Sequence, residues 1–100
     1  MVVVGGTFAV HPNERESFLA SRVDMMRASR AEAGCLEYTF AADPLEPGRV
    51  VLFERWESQA DLDAHLAAMR ANPPKLEPDI TPISSAITIY EISGERRLGH

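Results

Sequence analysis

Residues 35–57, CLEYTFAADPLEPGRVVLFERWE, decide the fold. Residues 35–42 and 49–57 are rich in β-branched and aromatic side chains, and Asp43-Pro44-Leu45-Glu46-Pro47-Gly48 between them is dense in turn formers. Two strands this close in sequence must pair as a hairpin. With Ala42 facing Arg49, one face carries Leu36, Tyr38, Phe40, Val51, Phe53 and Arg55. The other face then carries Cys35, Glu37, Thr39, Ala41, Val50, Leu52, Glu54 and Trp56. A slip of one residue would break this grouping.

Outward from the hairpin, residues 2–10 (VVVGGTFAV) are apolar and uncharged, which suits a strand buried on both faces. Pro12 ends it, and Asn13 with Glu16 has the form of a helix N-cap and its acidic partner. That helix is predicted to reach about Glu32 before Gly34 closes it. Ser58, with Asp61 as capping partner, opens a second helix. Its apolar stripe is Leu62, Leu66 and Met69, and His65 falls within the stripe. Asn72-Pro73-Pro74 stops the helix, residues 73–82 read as an irregular connection, and 84–92 (SSAITIYEI) form the last strand. The order βαββαβ with right-handed crossovers predicts an α+β, ferredoxin-like fold: a four-stranded antiparallel sheet, central strands first and third, with both helices on one face.

Composition bounds the function. A chain of 100 residues buries only about 60 to 68% of the surface it exposes when unfolded. The expected unit is one domain over 1–92 with a polar tail over 93–100. Fifteen acidic against ten basic residues, net charge −5, argue against nucleic acid or an anionic membrane as partner. The apolar start is too short to span a bilayer and nothing marks it for export, so the expected location is cytoplasmic. The single Cys35 excludes an internal disulfide, and His11, His65 and His100 lack metal-ligand spacing, so no metal is expected. Both hairpin faces carry large apolar residues. The exposed one is best covered by a second copy, giving a homodimer.

His65, on a helix face that looks at the sheet, is the leading candidate for proton transfer. It could equally be a histidine that satisfies a carboxylate or carbonyl at the edge of the core. In the register above, Glu37 and Glu54 are cross-strand neighbours beside Trp56. They could act as an acid and base pair next to an indole against which an aromatic ring stacks, or splay into solvent around a core tryptophan. Gly5-Gly6 could admit a ligand close to the backbone or mark a bulge. Arg22 could pair with Glu37 or Glu54, or hold its charge in water. Thr88 and Tyr90 are weaker candidates for the same pocket.

Ala33-Gly34-Cys35-Leu36-Glu37-Tyr38, then Phe53-Glu54-Arg55-Trp56-Glu57-Ser58, then Ala64-His65-Leu66, resemble the antibiotic biosynthesis monooxygenase family. The resemblance implies a dimeric α+β barrel and oxidation of phenols or quinols by dioxygen with no metal, flavin or other cofactor. It implies a pocket between helices and sheet, lined by Gly5, Thr7, Glu37, Thr39, Leu52, Glu54, Trp56 and His65, with His65 and Glu54 catalytic. Where polyketide-tailoring relatives carry an Asn, this chain has Leu52. Where haem-degrading relatives carry a Trp and an axial histidine, it has His65 and Lys75, which argues against haem. The expected ligand is a small quinol-like aromatic. A small-metabolite isomerase or lyase in the same pocket and a non-catalytic dimeric binding module are the competing expectations.

Overall fold

The computed structural model describes residues 1–99. Along the chain lie β1 (Val2–Ala9), α1 (Arg15–Ser21), α2 (Val23–Arg30), β2 (Cys35–Ala42), β3 (Arg49–Trp56), α3 (Gln59–Ala71) and β4 (Ser84–Glu91), with a 3-10 turn over Pro12–Glu14 leading into α1. The strands form one antiparallel sheet in the order β2-β3-β1-β4. The expected α+β, ferredoxin-like architecture is therefore present, with β1 and β3 central. Residues 73–83 contain no regular element. Among the described residues no helix is long and apolar enough to cross a membrane.

The first helix departs from expectation at both its start and its middle. Pro12 opens a 3-10 turn in which the Glu14 N–H donates to the His11 carbonyl at 2.8 Å, and no side chain caps α1. The proposed Asn13 cap is thus replaced by a turn that proline's fixed φ favours. The helix then breaks at Arg22 (φ −97°, ψ −6°). Its cause is local: the Ser21 hydroxyl donates to the Phe18 carbonyl at 2.6 Å, competing with the backbone ladder, and such back-bonding bends helices. α3 begins as expected, with the Asp61 N–H donating to Ser58 Oγ at 3.1 Å and Asn72 ending it ahead of Pro73.

The hairpin register is corrected by one residue. Ala42 pairs with Val50, not Arg49, and the offset continues through Phe40 with Leu52, Tyr38 with Glu54 and Glu37 with Arg55. The loop closes later than assumed, because the Asp43 N–H donates to the Arg49 carbonyl at 3.1 Å. A bulge at Leu36 absorbs the extra residue and restores Cys35 opposite Trp56. The two faces are redistributed accordingly. Tyr38 and Phe40 join Val50, Leu52, Glu54 and Trp56, all buried under the helices with Val2, Val4, Phe18 and Leu62. Glu37 and Thr39 join Val51, Phe53 and Arg55 on the other face. This arrangement puts the large rings on one side, where Phe8, Phe18, Phe40 and Tyr38 follow one another at centroid spacings of 5.7 to 6.4 Å.

Gly34 ties the two halves together. Its φ of +78° lies in the left-handed region, and a Cβ there would collide with the Asp61 carboxyl at the start of α3. Its carbonyl accepts from the Glu57 N–H at 2.9 Å. Gly34→Ala is therefore expected to lower stability by at least about 1 to 2 kcal/mol from backbone conformation alone. The check is the midpoint of urea unfolding by circular dichroism, which should fall clearly below that of the parent.

Candidate active site

The site grows from the end of β3 and the middle of α3. Strand alternation places Glu54 and Trp56 on the same, helix-facing side, and the Trp56 indole N–H donates to Glu54 Oε1 at 3.0 Å. Helical spacing places His65 beside Leu62 on the face of α3 that meets them. The imidazole is only 2% exposed, and its ring centroid lies 4.7 Å from that of Trp56 and 5.5 Å from that of Tyr38. Its Nδ1 is 2.8 Å from Oε2 of Glu32, a residue in the turn between α2 and β2. With Glu32 ionised, Nδ1 carries the proton and donates it to that carboxylate.

Burial sets the electrostatics. Removal from water pushes the Glu54 carboxyl above its ordinary range, with the charge of Glu32 adding to the rise; the Trp56 hydrogen bond and His65 act against it. Burial also raises the Tyr38 phenol, which the charges of Glu54 and Glu32 raise further, while a hydrogen bond from Ser29 opposes. These groups form one coupled set around the imidazole. Among the described residues, no group of acidic, histidine or cysteine side chains could hold a metal ion.

A cleft of about 320 Å³ opens between α2 and the end of α3, with Met25, Ser29 and Glu32 on one wall and Ala68, Met69 and Asn72 on the other. Glu32 and Ser29 belong both to this wall and to the buried set, because their side chains also reach His65 and Tyr38. Glu32, with its side chain 32% exposed, is the acid on the cleft wall. His65 lies one hydrogen bond behind it.

Of the residues picked out from sequence, His65, Glu54, Trp56 and Leu52 gather on the helix side, Leu52 as a buried core residue opposite Phe40. Glu37, Thr39, Gly5 and Thr7 do not join them, since register puts all four on the other sheet face. Glu37 forms an ion pair with Arg55 at 3.4 Å there, so it is not a like-charged neighbour of Glu54. The Thr39 hydroxyl accepts from Arg30 at 3.1 Å. Gly5 lies under the ring edge of Tyr90, and Gly6 is crowded by the β4 backbone at Ala86, so the pair of glycines serves strand packing. Thr88, paired with Gly5, and Tyr90, paired with Val3, share that face. Arg22 pairs with neither Glu37 nor Glu54; its guanidinium lies over the Phe18 ring at 4.0 Å. Glu32, Ser29 and Tyr38 were not legible as site residues. An acid in a helix-to-strand turn has no periodic signature, and Tyr38 was assigned to the wrong face by the register.

Because the folded-state pKa of Glu54 is raised, its burial favours folding least when it is ionised. Stability is expected to be lost as pH climbs from the ordinary carboxyl range, about 4.3, through the raised value. Glu54→Gln removes that titration, so the difference in unfolding midpoint between acid and neutral pH should shrink in the variant. An unchanged difference would contradict the assignment.

Comparison with known proteins places this geometry in a family. The model of the antibiotic biosynthesis monooxygenase family matches residues 1–70. The chain is 32% identical over 98 residues to the uncharacterised protein sll1783 of Synechocystis, covering 97% of this chain and 67% of that one. It is 31% identical over 65 residues to YcnE, a monooxygenase candidate of Bacillus subtilis, covering 65% of this chain and 68% of that protein. The structure of Rv0793 from Mycobacterium tuberculosis superposes with a TM-score of 0.68 at 30% identity, covering 96% of this chain and 98% of that one. The chain belongs to the antibiotic biosynthesis monooxygenase family.

Proposed function

We propose that this protein is a monooxygenase that oxidises a phenolic or quinol-like aromatic with dioxygen and acts as a homodimer. The observation that carries the reading is the His65–Glu32 pair at 2.8 Å, seated against the Trp56 indole, with the carboxylate opening onto the cleft. Family membership supports the oxygenase chemistry. A phenol in the cleft gives its proton to the Glu32 carboxylate, which keeps the hydrogen bond from His65 Nδ1–H. The phenolate transfers one electron to dioxygen, and the resulting phenoxyl radical and superoxide join as a peroxide at a ring carbon. Protonation and loss of water leave a carbonyl where that carbon had carried hydrogen. The net change is phenol plus dioxygen to quinone plus water, with every electron drawn from the ring and no cofactor added.

In this scheme Glu32 is the catalytic base. His65, Glu54 and Trp56 are positioning residues: His65 holds the base through its hydrogen bond, and Trp56, bonded to Glu54, packs on the imidazole. The test is oxygen uptake with 1-naphthol under labelled dioxygen. One labelled oxygen atom is expected in the quinone. Glu32→Gln and His65→Ala should each lower kcat by roughly 10²-fold or more. Unlabelled product, or full uptake in both variants, would sink the reading.

The dimer reading rests on the sheet face turned away from the helices. Val51 and Phe53 there are each 38% exposed and Tyr90 is 51% exposed, an apolar patch of the kind a second sheet covers. The Glu37–Arg55–Glu95 ion pairs lie beside it as a polar rim. Phe53→Asp is expected to convert a dimer to monomer in sedimentation velocity. A parent that sediments as a monomer at micromolar concentration would overturn this part.

A further inference from the structure

The two edges of the sheet are finished differently. On β2 the odd-numbered residues bond to β3, as the Asp43 N–H beyond its end does to the Arg49 carbonyl, so the backbone groups of Tyr38 and Phe40 point outward. α2 guards both: Arg30 Nε donates to the Tyr38 carbonyl at 2.8 Å, and the Phe40 N–H donates to Met26 Sδ at 3.4 Å. On β4 the alternation runs the other way. The Ile92 N–H donates to the Met1 carbonyl at 3.0 Å, so even-numbered residues face β1, and the N–H and C=O groups of Ser85, Ile87, Ile89 and Glu91 point outward. Among the described residues no hydrogen bond reaches that edge.

Nothing else protects it. All eight residues of β4 are exposed. Ser84 to Tyr90 carry no charge and no proline, and the ladder to β1 runs without a bulge. Charges, prolines and bulges are the devices that keep an edge strand from pairing, and this one has none before Glu91. Ile87 and Ile89 share the helix-facing side with their partners Gly6 and Val4, yet they are 38% and 50% exposed.

We propose that β4 pairs antiparallel with β4 of a second copy, about a two-fold axis at Thr88. The strand is complementary to itself in that register. Ser85 bonds to the partner's Glu91 and Ile87 to the partner's Ile89, each twice by symmetry, so all four outward residues are used. Any other centre leaves one of them beyond the end of the partner strand. Side chains agree: Ile87 and Ile89 meet in apolar pairs, Thr88 meets the partner's Thr88, and Glu91 lies opposite a serine and not its own like charge. The proposal rests on the dimer reading above and names its seam. Curling of the joined sheets about β4 brings the two Val51 and Phe53 faces together.

The experiment is disulfide trapping in full chains that carry Cys35→Ser, with Thr88→Cys compared to Ala86→Cys under mild oxidation at micromolar concentration. Opposite Cα atoms of a non-hydrogen-bonded pair lie about 4.5 Å apart, which a disulfide spans. The two Ala86 positions fall four residues out of step, about 13 Å. Thr88→Cys is expected to form covalent dimer at least tenfold faster than Ala86→Cys, read on non-reducing gels and by mass spectrometry. Equal rates, or no covalent dimer from Thr88→Cys, would overturn the proposal. Should Thr88→Cys fail to fold, Ile87→Pro decides, because it deletes an outward N–H and no bond to β1. It should raise the dimer dissociation constant roughly tenfold or more in sedimentation velocity, and an unchanged constant counts against the seam. A dimer dissolved by Phe53→Asp yet never trapped at Thr88 defeats this inference alone. A dimer trapped at Thr88 that survives Phe53→Asp defeats the sheet-face reading alone.

Discussion

The hydrogen bond between His65 and Glu32 is the contact on which the rest depends. An imidazole shielded from water on α3 needs a partner, and the acid that supplies it comes from a turn 33 residues earlier. Meeting that requirement brings the α2–β2 turn onto the start of α3. Gly34 must then take a left-handed backbone so that Asp61 can pack beside it, and its carbonyl must meet the Glu57 N–H. The same turn sets where β2 starts, which places the Leu36 bulge and, through it, Cys35 opposite Trp56. One polar contact thus couples helix packing, strand register and the position of the indole.

Architecture was legible because its signals are local or periodic. The Asp43–Gly48 loop announces a hairpin, Ser58 with Asp61 announces a helix start, and an uncharged β1 announces a central strand. Register was not legible, because it depends on which loop residue closes the ladder and on a bulge that leaves no mark in composition. That single residue of error moved Tyr38 and Phe40 to the wrong face and brought Glu37 and Thr39 into a pocket they do not touch. The helix break at Arg22 was missed for a related reason: a serine hydroxyl that bonds to a carbonyl one turn back competes with the helix without altering its hydrophobic stripe.

Within the site, His65, Glu54 and Trp56 were readable because each lies on an element whose period fixes its facing. Glu32 was not, because a turn residue has no facing until the tertiary fold supplies one. The difference matters for the chemistry. The histidine singled out from sequence is almost wholly enclosed, and the residue that meets the cleft is its carboxylate partner. Enclosure keeps water from competing for the imidazole Nδ1–H, so that donor stays committed to Glu32.

The helix-facing side of the sheet holds two ionisable groups under opposite strain. Burial raises the Glu54 carboxyl and lowers the Arg22 guanidinium, each toward its uncharged form. They do not relieve one another: the aromatic rings of Phe40 and Tyr38 stand in the same layer, and each group is bonded elsewhere, Glu54 to the indole and Arg22 to Ser21. A fold seeking only stability would pair them or replace both with apolar side chains, which often costs nothing. Held apart, the acid is bonded to the indole that packs on the imidazole, and the cation lies on the Phe18 ring, so each is shielded by an aromatic neighbour and not by the other's charge.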